Sequence, residues 1–157
     1  LQTLAVVVTG MLLGRRIGPA SQGLYIAAGL AGLPVFSGWT GGVAPGGAQL
    51  PTLGYLLAFP LGAWVAGSLW DPARSSWPFS AVAAACTGMA VIHTGGFLWL
   101  TALAAASAAS PAAAALYALK AGAVPFVLVD LAKATAAAAI ANSSKGALVT
   151  RLGGLRG

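Results

Sequence analysis

Five apolar stretches divide the chain: residues 1–13, 17–33, 52–70, 79–106 and 123–141. None alternates apolar with polar residues, so the barrel-strand pattern is missing and each stretch predicts a helix. The first two are short against the roughly twenty residues that a membrane span needs. Pro19 lies near the start of the second, where proline is tolerated. Pro60 lies inside the third, where a kink is tolerated if neighbours satisfy the freed carbonyl.

The interruptions differ in kind. Gly14-Arg15-Arg16 is a short basic turn. Residues 34–51 hold five glycines and three prolines and exclude a regular helix. A loop of that length is either an external linker or a lid, and Phe36 and Trp39 give it something to pack, which favours the lid. Residues 71–78 form a polar turn between Trp70 and Trp77, which fits an interfacial aromatic belt. Residues 107–122 are alanine-rich with Pro111 and Lys120 and predict a short surface helix, and residues 142–157 read as a polar tail.

Composition sets the class. Of 157 residues, 59% are hydrophobic and 6% are charged, against about 25% charged in soluble domains. The expectation is one all-α integral membrane helix bundle covering residues 1–157. The net charge of +6 comes from bases scattered at segment ends, without the stripe that a nucleic-acid partner requires. Cys86 stands alone, so it reads as a core residue, and with one histidine the chain has no metal cluster. No phosphate-binding Gly-rich motif is present, and the acids are Asp71 and Asp130 alone. Neither an enzyme nor a cofactor is expected.

Alternating the five spans gathers Arg15, Arg16, Arg74, Lys145, Arg151 and Arg156 on one side, leaving Lys120 on the other. The positive-inside rule makes the first side cytoplasmic and puts Leu1 and the 34–51 loop outside. An external start inside a helical pattern predicts a further helix ahead of Leu1, six spans in all.

The last span carries the chemistry. Asp130 and Lys133 stand three apart, on one helical face, inside an apolar run. Each charge costs roughly 2.5–3.5 kcal/mol at a span's centre, so such groups usually face protein or a wet cavity. They are either a self-neutralising pair or a ligand site in which Lys133 meets a carboxylate and Asp130 accepts from N–H donors. Counting from Gly122, Asp130 lies roughly 12 Å inward, beneath the 34–51 loop. His93, beside Gly95 and Gly96, either lines the same cavity or packs in the core.

Three parts of the chain resemble the biotin transporter family BioY. They are Leu1-Gln2-Thr3-Leu4-Ala5-Val6; Gly32-Leu33-Pro34-Val35-Phe36-Ser37-Gly38 with Pro51-Thr52-Leu53-Gly54-Tyr55-Leu56; and Val124-Pro125-Phe126 leading to Asp130-Leu131-Ala132-Lys133-Ala134. The resemblance implies an S component of an energy-coupling factor (ECF) transporter in the bacterial plasma membrane. Such a subunit binds biotin and works with a transmembrane coupling subunit and ATPase subunits. It implies that Asp130 and Lys133 match the family's acid–base pair, and that Gly54 and Tyr55 match its glycine-tyrosine motif. Trp39 and Tyr55 are expected as walls of the pocket. The chain departs from the family pattern at Leu53, where glycine is usual, at Leu128-Val129, where proline-glycine is usual, and at His93, where tyrosine is common. An S component for another vitamin, a stand-alone proton-coupled carrier and a structural membrane subunit are the alternatives.

Overall fold

The N-terminal apolar run turns back on itself at Gly14. Helix α1 (Gln2–Leu30) is broken there, with φ 77° and ψ 176°, a backbone conformation that side-chain-bearing residues avoid. A Cβ on Gly18 would lie 2.8 Å from the Cα of Gly10. Along an unbroken helix those residues would be roughly 12 Å apart. The helix is therefore a hairpin of two arms, 2–13 and 15–30, as the two short apolar segments predict. Glycines at the crossing let the arms touch backbone to backbone.

The structure, a computed structural model, describes residues 1–42, 51–73, 79–106, 108–122 and 124–154. After the hairpin come α2 (Leu53–Leu69), α3 (Ser80–Ala105), α4 (Pro111–Gly122), a 3-10 turn (Val124–Phe126) and α5 (Val127–Gly154). No strand occurs among the described residues. Helix α2 packs between α1 and α3, and α5 lies against both α1 and α3. The buried side chains on α5 are Asp130, Ala134, Ala137, Ala138 and Ala141, one helical stripe. Leu128, Leu131 and Ile140 point outward from it. The acid thus lies on the face that alanine lets approach the bundle, and the large apolar groups cover the face left for lipid.

The two ends of the bundle differ. A Cβ on Gly67 would lie 3.0 Å from the nitrogen of Arg15, so α2 ends beside the hairpin turn. The start of α3 and the C-terminal half of α5 follow it there, bringing Lys145 to the same end as Arg15 and Arg16. The start of α1, residues 31–42, α4 and the start of α5 occupy the opposite end. This is the alternation that the charge pattern predicts; Arg74, Arg156 and the side chain of Arg151 lie outside the described residues.

Three expectations change. The polar tail is helical: α5 continues to Gly154, because 142–154 contains no proline and its hydroxyls bond back along the helix, as Ser144 Oγ does to Ile140 O at 2.9 Å. At roughly 42 Å, α5 exceeds the roughly 30 Å hydrocarbon layer. The last helix begins at Val127 rather than Ala123, since Val124-Pro125-Phe126 forms its own tight turn. Trp70 is 2% exposed and belongs to the core rather than to a surface belt, while Trp77 lies outside the described residues. By itself, Ser80–Ala105 is the described helix long and apolar enough to cross a membrane.

Candidate functional site

The break between α4 and α5 places Asp130 in the first turn of α5. There the helix macrodipole favours a carboxylate. Asp130 is 8% exposed and both its oxygens are engaged. Oδ1 accepts from Lys133 Nζ at 2.8 Å, the contact expected of residues three apart. Oδ2 is bonded to His93 Nε2 on α3. Lys133 Nζ also donates to Thr3 Oγ1 at 3.2 Å, so three helices meet at this cluster.

Aromatic rings hold the cluster in place. The His93 ring meets Tyr55 edge-on with centroids 5.8 Å apart, and stacks with Phe126 at 6.3 Å. Its Nδ1 is buried without a partner. The Tyr55 hydroxyl donates to Gly122 O at 2.8 Å. Gly96 makes room for that ring: a Cβ there would overlap it. Gly54 does the same one turn away, where a Cβ would overlap Trp99 Cβ.

Above the cluster lies a cavity of about 360 Å³, within the range of small-molecule sites. Asp130, Lys133 and His93 line it, with Thr3 beside them. Tyr55, Phe59, Leu100, Tyr117 and Phe126 supply apolar and aromatic wall, and Ser37 reaches it from the loop. The arrangement offers one cation, one acceptor and aromatic surface at a single place.

The structure therefore brings together four of the residues named from sequence: Asp130, Lys133, Tyr55 and His93. Gly54 is not on the wall; it sets the α2–α3 approach that holds Tyr55. Trp39 is a correction. It is 87% exposed, at φ 57°, and does not line the cavity. The bridge between Phe36 and Thr40 closes a tight turn that sends Phe36 into the core and leaves Trp39 outside. The described part of the loop is tied down: Gly42 N donates to Gly29 O at 2.6 Å, and Phe36 packs edge-on against Tyr25 at 5.7 Å. Residues 43–50 of the expected lid lie outside the described residues.

Gln2, Thr3 and Phe126 are wall residues that spacing alone did not find. The signal was present, since Gln2 and Thr3 are polar residues opening an apolar run, and all three fall in stretches that carry the family likeness.

The BioY family model matches residues 1–149. The chain belongs to the BioY family. It is 31% identical over 93% of its length to a probable biotin transporter BioY of Pyrococcus horikoshii, covering 79% of that protein. It is 34% identical over 90% of its length to the biotin transporter BioY of Thermotoga maritima, covering 76% of it. Among solved structures, it matches the S-component for biotin from an ECF-type ABC transporter. The TM-score is 0.72 at 24% identity, over 93% of this chain and 74% of that one. This member of the BioY family thus has the S-component fold, an all-α polytopic membrane helix bundle.

Proposed function

We propose that this BioY family member is a biotin-binding membrane subunit for high-affinity biotin uptake. One observation carries the reading. The aromatic cavity of about 360 Å³ has its acid, its amine and its imidazole at one point of its wall. Biotin supplies a carboxylate, two ureido N–H donors and an apolar ring system. Lys133 is the cation for the carboxylate, and Asp130 holds its amine in place. Tyr55, Phe59 and Phe126 are the surfaces for the rings.

The cavity end lies opposite Arg15, Arg16 and Lys145, so the positive-inside rule turns it outward from a bacterial plasma membrane. Uptake draws its energy from ATPase subunits joined through a transmembrane coupling subunit, since the chain has no phosphate-binding loop of its own. The test is biotin binding by the purified protein and by Lys133→Ala. Wild type is expected to bind and the variant to lose at least tenfold in affinity. Absence of binding by wild type, or equal affinity in both, overturns the reading.

A further inference from the structure

Asp130 is not free to serve a ligand's N–H groups, because both its oxygens are taken. Oδ1 accepts from Lys133 Nζ at 2.8 Å and Oδ2 is bonded to His93 Nε2. A buried N–H without an acceptor is costly, so a ureido ring needs another partner in the cavity. Outside the cluster, the polar side chains of the described wall are hydroxyls and a single amide, that of Gln2. A hydroxyl turns to suit whatever meets it. An amide that is held in place offers its carbonyl and its N–H in set directions, and so selects.

The Gln2 amide is held. Its Nε2 donates to the Tyr25 hydroxyl at 2.8 Å, and that hydroxyl donates to Val35 O at 2.8 Å. This order of bonds allows one orientation. A backbone carbonyl only accepts, so the single hydroxyl proton of Tyr25 goes to Val35. Tyr25 is then the acceptor for Gln2, which has to turn its nitrogen, not its carbonyl, toward the phenol. One N–H and the carbonyl oxygen Oε1 remain, and among the described residues neither has a partner. Tyr25 is fixed in turn by its ring, which stacks with Phe59 at 6.3 Å and meets Phe36 edge-on at 5.7 Å. It lies behind the wall, yet it holds Gln2 and Phe59, which are on the wall, and the turn that carries Ser37 to the cavity.

The free pair on Gln2 matches one chemical class. A cyclic urea presents an N–H beside a C=O, and a primary amide answers them with its own C=O and N–H. Thr3 takes the Lys133 amine at 3.2 Å. Neighbouring residues of a helix point roughly 100° apart, so Gln2 opens on the cavity at a different place from that amine. We propose that Gln2 is the specificity-determining contact for the ureido ring of the ligand. Its Oε1 accepts from a ureido N–H and its own N–H donates to the ureido oxygen. Tyr25 is the positioning residue that sets this orientation. The assignment deepens, and rests on, the proposed reading in which Lys133 meets the carboxylate of biotin.

Three ligands titrated into the purified chain test it: biotin, biotin methyl ester, and biotin methylated on both ureido nitrogens. Biotin and its methyl ester keep the ureido N–H groups, so each should bind Gln2→Leu about tenfold more weakly than wild type. The dimethylated ligand has no such donor to lose and should bind both proteins alike. Tyr25→Phe keeps the stacked ring but releases the Gln2 amide to turn. Its preference for biotin over the dimethylated ligand should fall severalfold. A purely structural loss would weaken both ligands equally and leave that preference where it was. Wild-type biotin affinity in Gln2→Leu, or an unchanged preference in either variant, overturns the inference and leaves the proposed function standing, since Lys133→Ala tests that separately. If wild type binds no biotin, the proposed function itself fails, and this inference with it.

Discussion

The hydroxyl of Tyr55 donates to the carbonyl of Gly122 at 2.8 Å and so fastens α2 to the last residue of α4. The same ring lies edge-on to His93. One side chain therefore couples the helix break before α5 to the ionisable cluster behind it. Tyr55→Phe removes the donor and keeps the ring. A net loss of about 1 kcal/mol in stability is expected, the usual value of one such bond. Thermal unfolding in detergent should show a fall of a few degrees. Biotin affinity should drop severalfold while the cluster stays intact.

Gly96 tests the same ring from behind. A methyl group at position 96 overlaps the Tyr55 ring, which has to leave its place. Gly96→Ala is expected to cost about 1–3 kcal/mol, the range for overpacking, and to lower biotin affinity more than Tyr55→Phe does. Gly23→Ala is the control. It sits on the second arm of α1 with nothing within 4 Å of its added carbon. Alanine is the better helix former by roughly 1 kcal/mol, so that variant should be neutral or slightly more stable. Parallel melts of the two variants, in one detergent, check the contrast.

Asp130 and Lys133 separate structure from binding. Removing either partner strands the other's charge, Asp130 with His93 alone or Lys133 with Thr3 alone, a loss of up to about 3–5 kcal/mol. Replacing both with apolar residues of similar size removes the charges together. Asp130→Leu combined with Lys133→Met should therefore melt near wild type, while each single change melts lower. Biotin affinity should fall at least tenfold in all three. If the double variant still binds biotin with wild-type affinity, the pair serves assembly and the ligand contacts lie elsewhere in the cavity.

The parts of the fold that could be read in sequence are those set by local pattern. The Gly14-Arg15-Arg16 turn is legible because glycine and two charges interrupt an apolar run, and the hairpin follows from it. The face shared by Asp130 and Lys133 is legible because a spacing of three is a helical contact. The His93–Asp130 bond is not, because it depends on how α3 and α5 pack across 37 intervening residues. Trp39 misleads for a related reason. An aromatic in a glycine-rich loop suggests a wall, but the direction of its side chain is decided by the Phe36–Thr40 bridge, a pairing that no spacing rule supplies. The length of α5 is not legible, because polarity in 142–154 suggests an end to the helix. In fact it ends only the apolar stretch.

The 2.8 Å contact between Asp130 and Lys133 also limits how biotin can lie. The carboxylate and the ureido ring of biotin sit at opposite ends of a four-carbon tail, so an extended ligand brings one end to the pair. If Lys133 receives the carboxylate, biotin methyl ester loses a charge-assisted bond and leaves the amine with Asp130 and Thr3 alone. Hydrogen bonds to charged groups contribute about 1.5–3 kcal/mol, so the ester should bind roughly ten- to a hundredfold more weakly. In Lys133→Met, biotin and its ester should bind with similar, weak affinity, because the group that tells them apart is gone. If instead the ureido ring lies against Asp130, the ester should bind wild type nearly as well as biotin does. Titrating both ligands into both proteins decides between the two orientations.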